Sequence, residues 1–159
     1  MDSSHVSMHP WWIMKKGGTM RIVTFMVSLG MLMGFAFSTV HAGSGEEQAA
    51  ASAARGWLSL IDNGNYAGSW QDASAYFQGA IDEERWTASL NGVRKPLGRS
   101  MSRKLQTAKY ATVLPGAPDG KYVVMQFRTS FAKKKAAIET VTFMLDKDGR
   151  WRAAGYFIK

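Results

Sequence analysis

Carboxylates, tyrosines, lysines and arginines must do whatever chemistry residues 43–159 perform. The 159-residue sequence has no cysteine, and its three histidines, His5, His9 and His41, all lie upstream of residue 43. A segment without imidazole or thiol forms neither a Ser-His-Asp nor a Cys-His arrangement, and lacks the His/Cys sets that bind most protein zinc. No metal site and no cofactor are expected, because there is no ligand cluster, no glycine-rich phosphate loop ahead of a helix and no nucleophile elbow. Asp146-Lys147-Asp148-Gly149 contains D-x-D-G but lacks the downstream calcium ligands, so it reads as a hairpin turn.

Glu139 is the leading titratable candidate. It alternates with Val141, Phe143 and Leu145, so its carboxylate points inward if those residues pack under helices. Desolvation there would raise its pKa towards that of a general base. The plainer alternative pairs it with an arginine such as Arg94 or Arg103, since buried charges are usually paired. Arg94, just ahead of Pro96, is either a clamp for a carboxylate or phosphate or a cap on the carbonyls of the preceding helix. Tyr156 and Tyr110 are candidate hydrogen-bond donors to a developing oxyanion, or core tyrosines with hydroxyls at the rim. Of Trp57, Trp70, Trp86 and Trp151, helical spacing assigns most to the core and leaves Trp86 as a candidate pocket wall.

Three helices are predicted to position these groups. Ala50, Ala53, Ala54, Trp57, Leu58 and Ile61 draw one apolar stripe between Glu46 and Asp62, closed by Asn63-Gly64-Asn65. A second segment, Tyr66 to Gln78, carries Trp70, Ala73 and Phe77. The third runs from Ile81 to about Val93 with Trp86, Leu90 and Val93 inward, and Pro96 and Gly98 end it. The period then changes to two, predicting strands over 101–114, 121–131, 136–146 and 150–158 joined by short turns, hence an antiparallel meander. In the last strand two phases compete, Trp151/Ala153/Gly155/Phe157 against Arg152/Ala154/Tyr156/Ile158. The expected fold class is α+β, with three N-terminal helices on a strongly curved four-stranded antiparallel sheet that makes a cone with a pocket at its open end.

The upstream residues read as an address. Lys15, Lys16 and Arg21 precede an apolar run from Ile22 to Phe37, and Val40-His41-Ala42 fits a signal-peptidase site, predicting cleavage after Ala42 and periplasmic export. The run is shorter than the roughly 20 residues a membrane span needs, so no stable span is expected after cleavage. Residues 1–13 read as a mis-assigned start or an extension, 14–42 as the signal peptide and 43–159 as one domain. Setting aside Lys15, Lys16, Arg21 and Asp2 from the chain's 20 basic and 12 acidic residues leaves 17 and 11, a charge of +6. Nucleic acid is not an expected partner of an exported protein, whereas an anionic envelope surface is compatible with that charge.

Several separated motifs together resemble one family. They are Trp57-Leu58-x-Leu60-x-Asp62-x-Gly64-x-Tyr66-Ala67-x-Ser69-Trp70, Val93-Arg94-x-Pro96-Leu97-Gly98, Leu114-Pro115-Gly116-Ala117-Pro118-Asp119-Gly120-x-Tyr122, Glu139-Thr140-Val141, and Asp148-Gly149-x-Trp151 with Ala154-Gly155-Tyr156-Phe157. The sequence is similar to the domain of unknown function 4019 family of small exported bacterial proteins. That resemblance implies an NTF2-like cone fold and carries no activity or catalytic residues with it.

The leading functional expectation is a non-enzymatic exported domain that binds a small apolar or amphipathic ligand or an envelope protein, with Glu139, Arg94, Tyr156, Tyr110 and Trp86 as ligand-binding candidates. A homodimer is expected through the outer sheet face, where Tyr122, Val124 and Ile158 would leave apolar area exposed. One alternative is a His-free isomerase- or cyclase-like enzyme with Glu139 as base and Tyr156 as oxyanion donor. Another is a basic module that associates with the envelope surface through Lys133-Lys134-Lys135.

Overall fold

The computed structural model describes residues 43–159, and the expected leader and its upstream extension lie outside them. Helices α1 (Gly43–Asp62), α2 (Tyr66–Gln71), α3 (Ala75–Ala80) and α4 (Glu83–Leu97) precede strands β1 (Ser100–Ala111), β2 (Tyr122–Phe131), β3 (Lys134–Leu145) and β4 (Trp151–Ile158). The strands form one antiparallel sheet in the order β1-β2-β3-β4, as the short turns require.

The helix count differs from expectation because local capping divides the second segment. Asp72 ends α2, and the Ser74 hydroxyl accepts from the Phe77 amide at 3.2 Å to start α3. The Ser74 amide meanwhile donates to the Ala153 carbonyl of β4, which ties the break to the sheet. Asp82 caps α4 by accepting from the Arg85 amide at 2.8 Å. That helix continues past Val93 through Pro96 to Leu97 and stops at Gly98, whose φ of 74° suits glycine. Four residues more of helix put Arg94 inside its last turn.

The cone is also corrected. The sheet is open, with β1 and β4 as its edges, and it is neither closed nor strongly curled. The 20-residue α1 packs across all four strands, which demands a broad and gently twisted surface. The space beneath the helices is filled with rings: Trp57 lies 6.1 Å from Trp86, 6.1 Å from Phe143 and 5.6 Å from Tyr156, and Phe77 meets Trp86 edge-on at 5.0 Å. Ser69 pins two of these rings. Its carbonyl accepts from Trp57 Nε1 at 2.7 Å and its hydroxyl accepts from Trp86 Nε1 at 3.0 Å. Aromatic packing therefore replaces the expected pocket.

The two competing phases of β4 are both used. The register steps from Thr142↔Gly155 to Phe143↔Ala153, leaving Ala154 as an extra residue. Such a bulge reverses the facing of everything beyond it. Trp151 and Ala153 thus face the helices from one phase, and Tyr156 and Ile158 face them from the other. The outer face differs from expectation for this reason and one more. Ile158 belongs to the helix side, and Tyr122, on the outer side, is buried with its hydroxyl donating to the Pro118 carbonyl at 2.6 Å.

Candidate functional site

Six elements converge on a buried charge network at the hairpin end of the sheet. Asp62 comes from the last residue of α1, where Gly64 at φ 75° turns the chain away. Arg94 follows Trp86 and Leu90 on one stripe of α4, four residues apart each time, and so points inward. Arg103, Thr129, Glu139 and Tyr156 project from β1, β2, β3 and β4 on the helix-facing side.

The contacts are dense. Arg103 donates to both Asp62 oxygens, Nη1 to Oδ2 at 2.6 Å and Nη2 to Oδ1 at 2.9 Å. Its Nε donates to Glu139 Oε2 at 2.6 Å and its Nη2 reaches Oε1 at 3.3 Å. Arg94 Nη2 donates to Asp62 Oδ1 at 2.6 Å, and its guanidinium lies 4.4 Å above the centre of the Phe131 ring. The Thr129 hydroxyl donates to Glu139 Oε2, and the Tyr156 hydroxyl donates to Oε1 at 2.5 Å. Two carboxylates and two guanidiniums make the unit electrically neutral. Arg94 Nε and Nη1 are buried and find no partner among the described residues, so the face of Phe131 supplies part of their compensation.

This environment fixes protonation. Burial, then the charge of Glu139 and its hydrogen bond, push the Tyr156 hydroxyl well above the ordinary tyrosine range and keep it a donor. Burial opposes the charge on Arg103, but its hydrogen bonds to Asp62 and Glu139 and their negative charges outweigh it and raise the guanidinium above its usual value. Glu139 is 0% exposed and accepts four hydrogen bonds from three residues. Its lone pairs are occupied by the protein.

A groove lies beside this network, between α4 and β4. It has a volume of about 250 Å³ and is walled by Trp86, Ser89, Leu90, Val93, Tyr156, Phe157 and Ile158. Val93, 48% exposed, and Phe157, 50% exposed, stand at its rim. The Tyr156 ring joins the two features, since its hydroxyl points into the network while the ring lines the groove.

A model of the family described as "Protein of unknown function (DUF4019)" matches residues 53–156. The chain belongs to the DUF4019 family. No curated protein matches it. The matched span of this DUF4019 domain runs from α1 to β4 and contains the whole network and most of the groove wall.

Of the residues singled out in the sequence, Glu139, Arg94 and Tyr156 meet in the network, and Trp86 and Tyr156 line the groove. Arg94 bonds Asp62, which shares Arg103 with Glu139; the pairing foreseen for Glu139 is made by Arg103 and not by Arg94. Tyr110 stands apart on β1, where its amide donates to Glu47 Oε1 at 3.1 Å. Asp62 was missed as a site residue, although it follows Leu58 by four residues and so continues the α1 stripe. Val93 was placed in the core and instead forms the groove rim. Among the described residues, no group of three or more metal-ligating side chains could hold a metal ion, and no helix is long and apolar enough to cross a membrane.

Proposed function

We propose that this DUF4019 domain is a non-catalytic binding domain, exported to the periplasm, that holds a small apolar or amphipathic molecule in the α4–β4 groove. The observation that carries the reading is the groove wall: six of its seven residues are apolar or aromatic, and the seventh, Ser89, already donates its hydroxyl to the Arg85 carbonyl at 2.8 Å. Binding sites of this kind are mostly apolar with few polar anchors. At about 250 Å³ the groove falls below the roughly 300–1,000 Å³ typical of drug-sized ligands, so the ligand is small or partly exposed.

The neighbouring network favours binding over catalysis. A general base must reach its substrate's proton, and Glu139 is enclosed by Arg103, Thr129 and Tyr156. The Tyr156 proton is committed to Glu139 and does not face the groove. The network holds β4 against the other strands and thereby sets the position of the groove's Tyr156 wall.

Titration with the neutral fluorophore N-phenylnaphthylamine tests this. Saturable, salt-insensitive enhancement is expected, and Val93→Asp should weaken it at least roughly tenfold by placing a carboxylate in an apolar wall. Tyr110→Phe should leave it unchanged. Equal binding by wild type and Val93→Asp would refute the groove as the site.

A further inference from the structure

The sheet face turned away from the helices is basic at its hairpin end. Lys104 on β1 stands directly opposite Arg128 on β2, and Arg128 is aligned with Ile138 on β3, whose backbone exchanges hydrogen bonds with Lys159. Their neighbours Arg103, Phe127, Thr129 and Glu139 face the helices, so by strand alternation Lys104 and Arg128 project from the opposite face. Phe157 is exposed on that face too, and Lys159, two residues on, shares its direction. At the same end Lys133 forms the β2–β3 turn and Lys134 and Lys135 open β3. None of these six cations makes an ion pair among the described residues.

Like charges directly opposite each other destabilise a sheet, and the Lys104–Arg128 pair has no carboxylate beside it to offset that. The acids at this end, Asp62 and Glu139, are turned inward and paired. Exposed acids gather elsewhere, at the start of α4 and in the β3–β4 turn.

We infer that this basic end seats the domain on an anionic bilayer surface. Five of the six cations are lysines, compact and strongly hydrated charges suited to a diffuse layer of headgroups, whereas bidentate phosphate recognition favours arginine. The row from β1 to β4 crosses three inter-strand spacings, roughly 14 Å, on a sheet that is not strongly curled. An unrecessed row of that kind matches a plane of headgroups better than a cleft-bound polymer. None of the six cations lines the groove and Phe157 alone touches both, so the two readings fail separately.

Flotation of the protein, as isolated from an expressing host, with phosphatidylcholine vesicles with and without phosphatidylglycerol is the test. Binding is expected only with phosphatidylglycerol and should be lost as added salt shortens the Debye length. Each cation near the surface contributes roughly a fivefold gain in partition, so Lys133→Ser/Lys134→Ser/Lys135→Ser should lose on the order of a hundredfold and Lys104→Ser/Arg128→Ser roughly 30-fold. Both variants should stay folded with a Tm at or above that of the wild type, since Lys104→Ser/Arg128→Ser relieves a like-charge pair, and Val93→Asp should bind vesicles normally. Salt-insensitive binding to neutral vesicles, wild-type binding by both variants, or tighter binding to soluble polyphosphate than to phosphatidylglycerol vesicles at equal salt would each overturn the inference.

Discussion

Replacing Glu139 with glutamine separates a structural keystone from a catalytic base. The change preserves shape but removes the negative charge that receives Arg103 Nε at 2.6 Å and the hydroxyls of Thr129 and Tyr156. It also puts an amide donor among groups that all donate. Breaking one member of a buried ion pair costs about 3–5 kcal/mol. Arg103 keeps its two bonds to Asp62, so the expected loss is at the lower end, about 3 kcal/mol. For a domain of this length that corresponds to a Tm lower by roughly 10 °C. Urea unfolding followed by tryptophan fluorescence measures it directly, since Trp57 and Trp86 sit in the core beside Tyr156. The double variant Arg103→Met/Glu139→Gln should lose less than the sum of the single changes, because it does not strand one charge. A Glu139→Gln loss under about 1 kcal/mol, or strict additivity in the cycle, would refute the keystone role.

Two further outcomes follow from the same contacts. The raised folded-state pKa of Tyr156 means that the unfolded chain gives up this proton first as pH rises, so the contribution is intact below about pH 10, the unfolded value, and is lost above it. Tyr156→Phe should therefore flatten the alkaline fall in urea midpoint while costing about 1.5–3 kcal/mol at neutral pH for the lost bond to a charged acceptor; an unchanged alkaline slope would count against the assignment. Ser69→Ala removes the acceptor of buried Trp86 Nε1 and should cost about 1–3 kcal/mol in urea unfolding, leaving Trp57, which bonds the Ser69 carbonyl, in place. A smaller change would mean that Trp86 finds another partner.

The pattern of the sequence reaches most of the architecture and part of the site, for reasons that lie in particular residues. The order of helices and strands is legible because the hydrophobic period changes once and every strand is bounded by turn residues. The inward direction of Glu139 is legible because Val141 and Phe143 follow it at even spacing. Arg94 and Val93 are ambiguous because i+7 and i+8 positions both fall near the stripe begun by Trp86. A hydrophobicity argument then chooses valine, while the paired Asp62, 32 residues away in sequence, draws the arginine inward. The break between α2 and α3 depends on the Ser74 amide meeting Ala153, a contact across the whole domain. Strand number and helix placement do not fix the curvature of a sheet, and the mutual packing of Trp57, Phe77, Trp86, Phe143 and Tyr156 under α1 is a set of long-range contacts that strand periodicity does not reveal.

The buried network and the basic outer face are two consequences of one distribution of charge. Near the β2–β3 hairpin the carboxylates available are Asp62 and Glu139, and both point into the protein, where Arg94 and Arg103 neutralise them. An inward carboxylate with its lone pairs filled by arginine, threonine and tyrosine cannot also screen lysines on the far side of the sheet. The cations at Lys104, Arg128 and the lysine hairpin therefore face solvent without counter-charge, because the field of the buried carboxylates is already balanced by Arg94 and Arg103. Had Glu139 been turned outward it would have met Arg128 and Lys159 across the strands, removing the repulsion and leaving Arg103 stranded. The inward orientation thus stabilises the core of the site and, by the same geometry, leaves an unneutralised surface. That coupling predicts that Glu139→Gln weakens the fold but not the attraction of the outer face for anionic vesicles, a separation that a surface-exposed glutamate would not show.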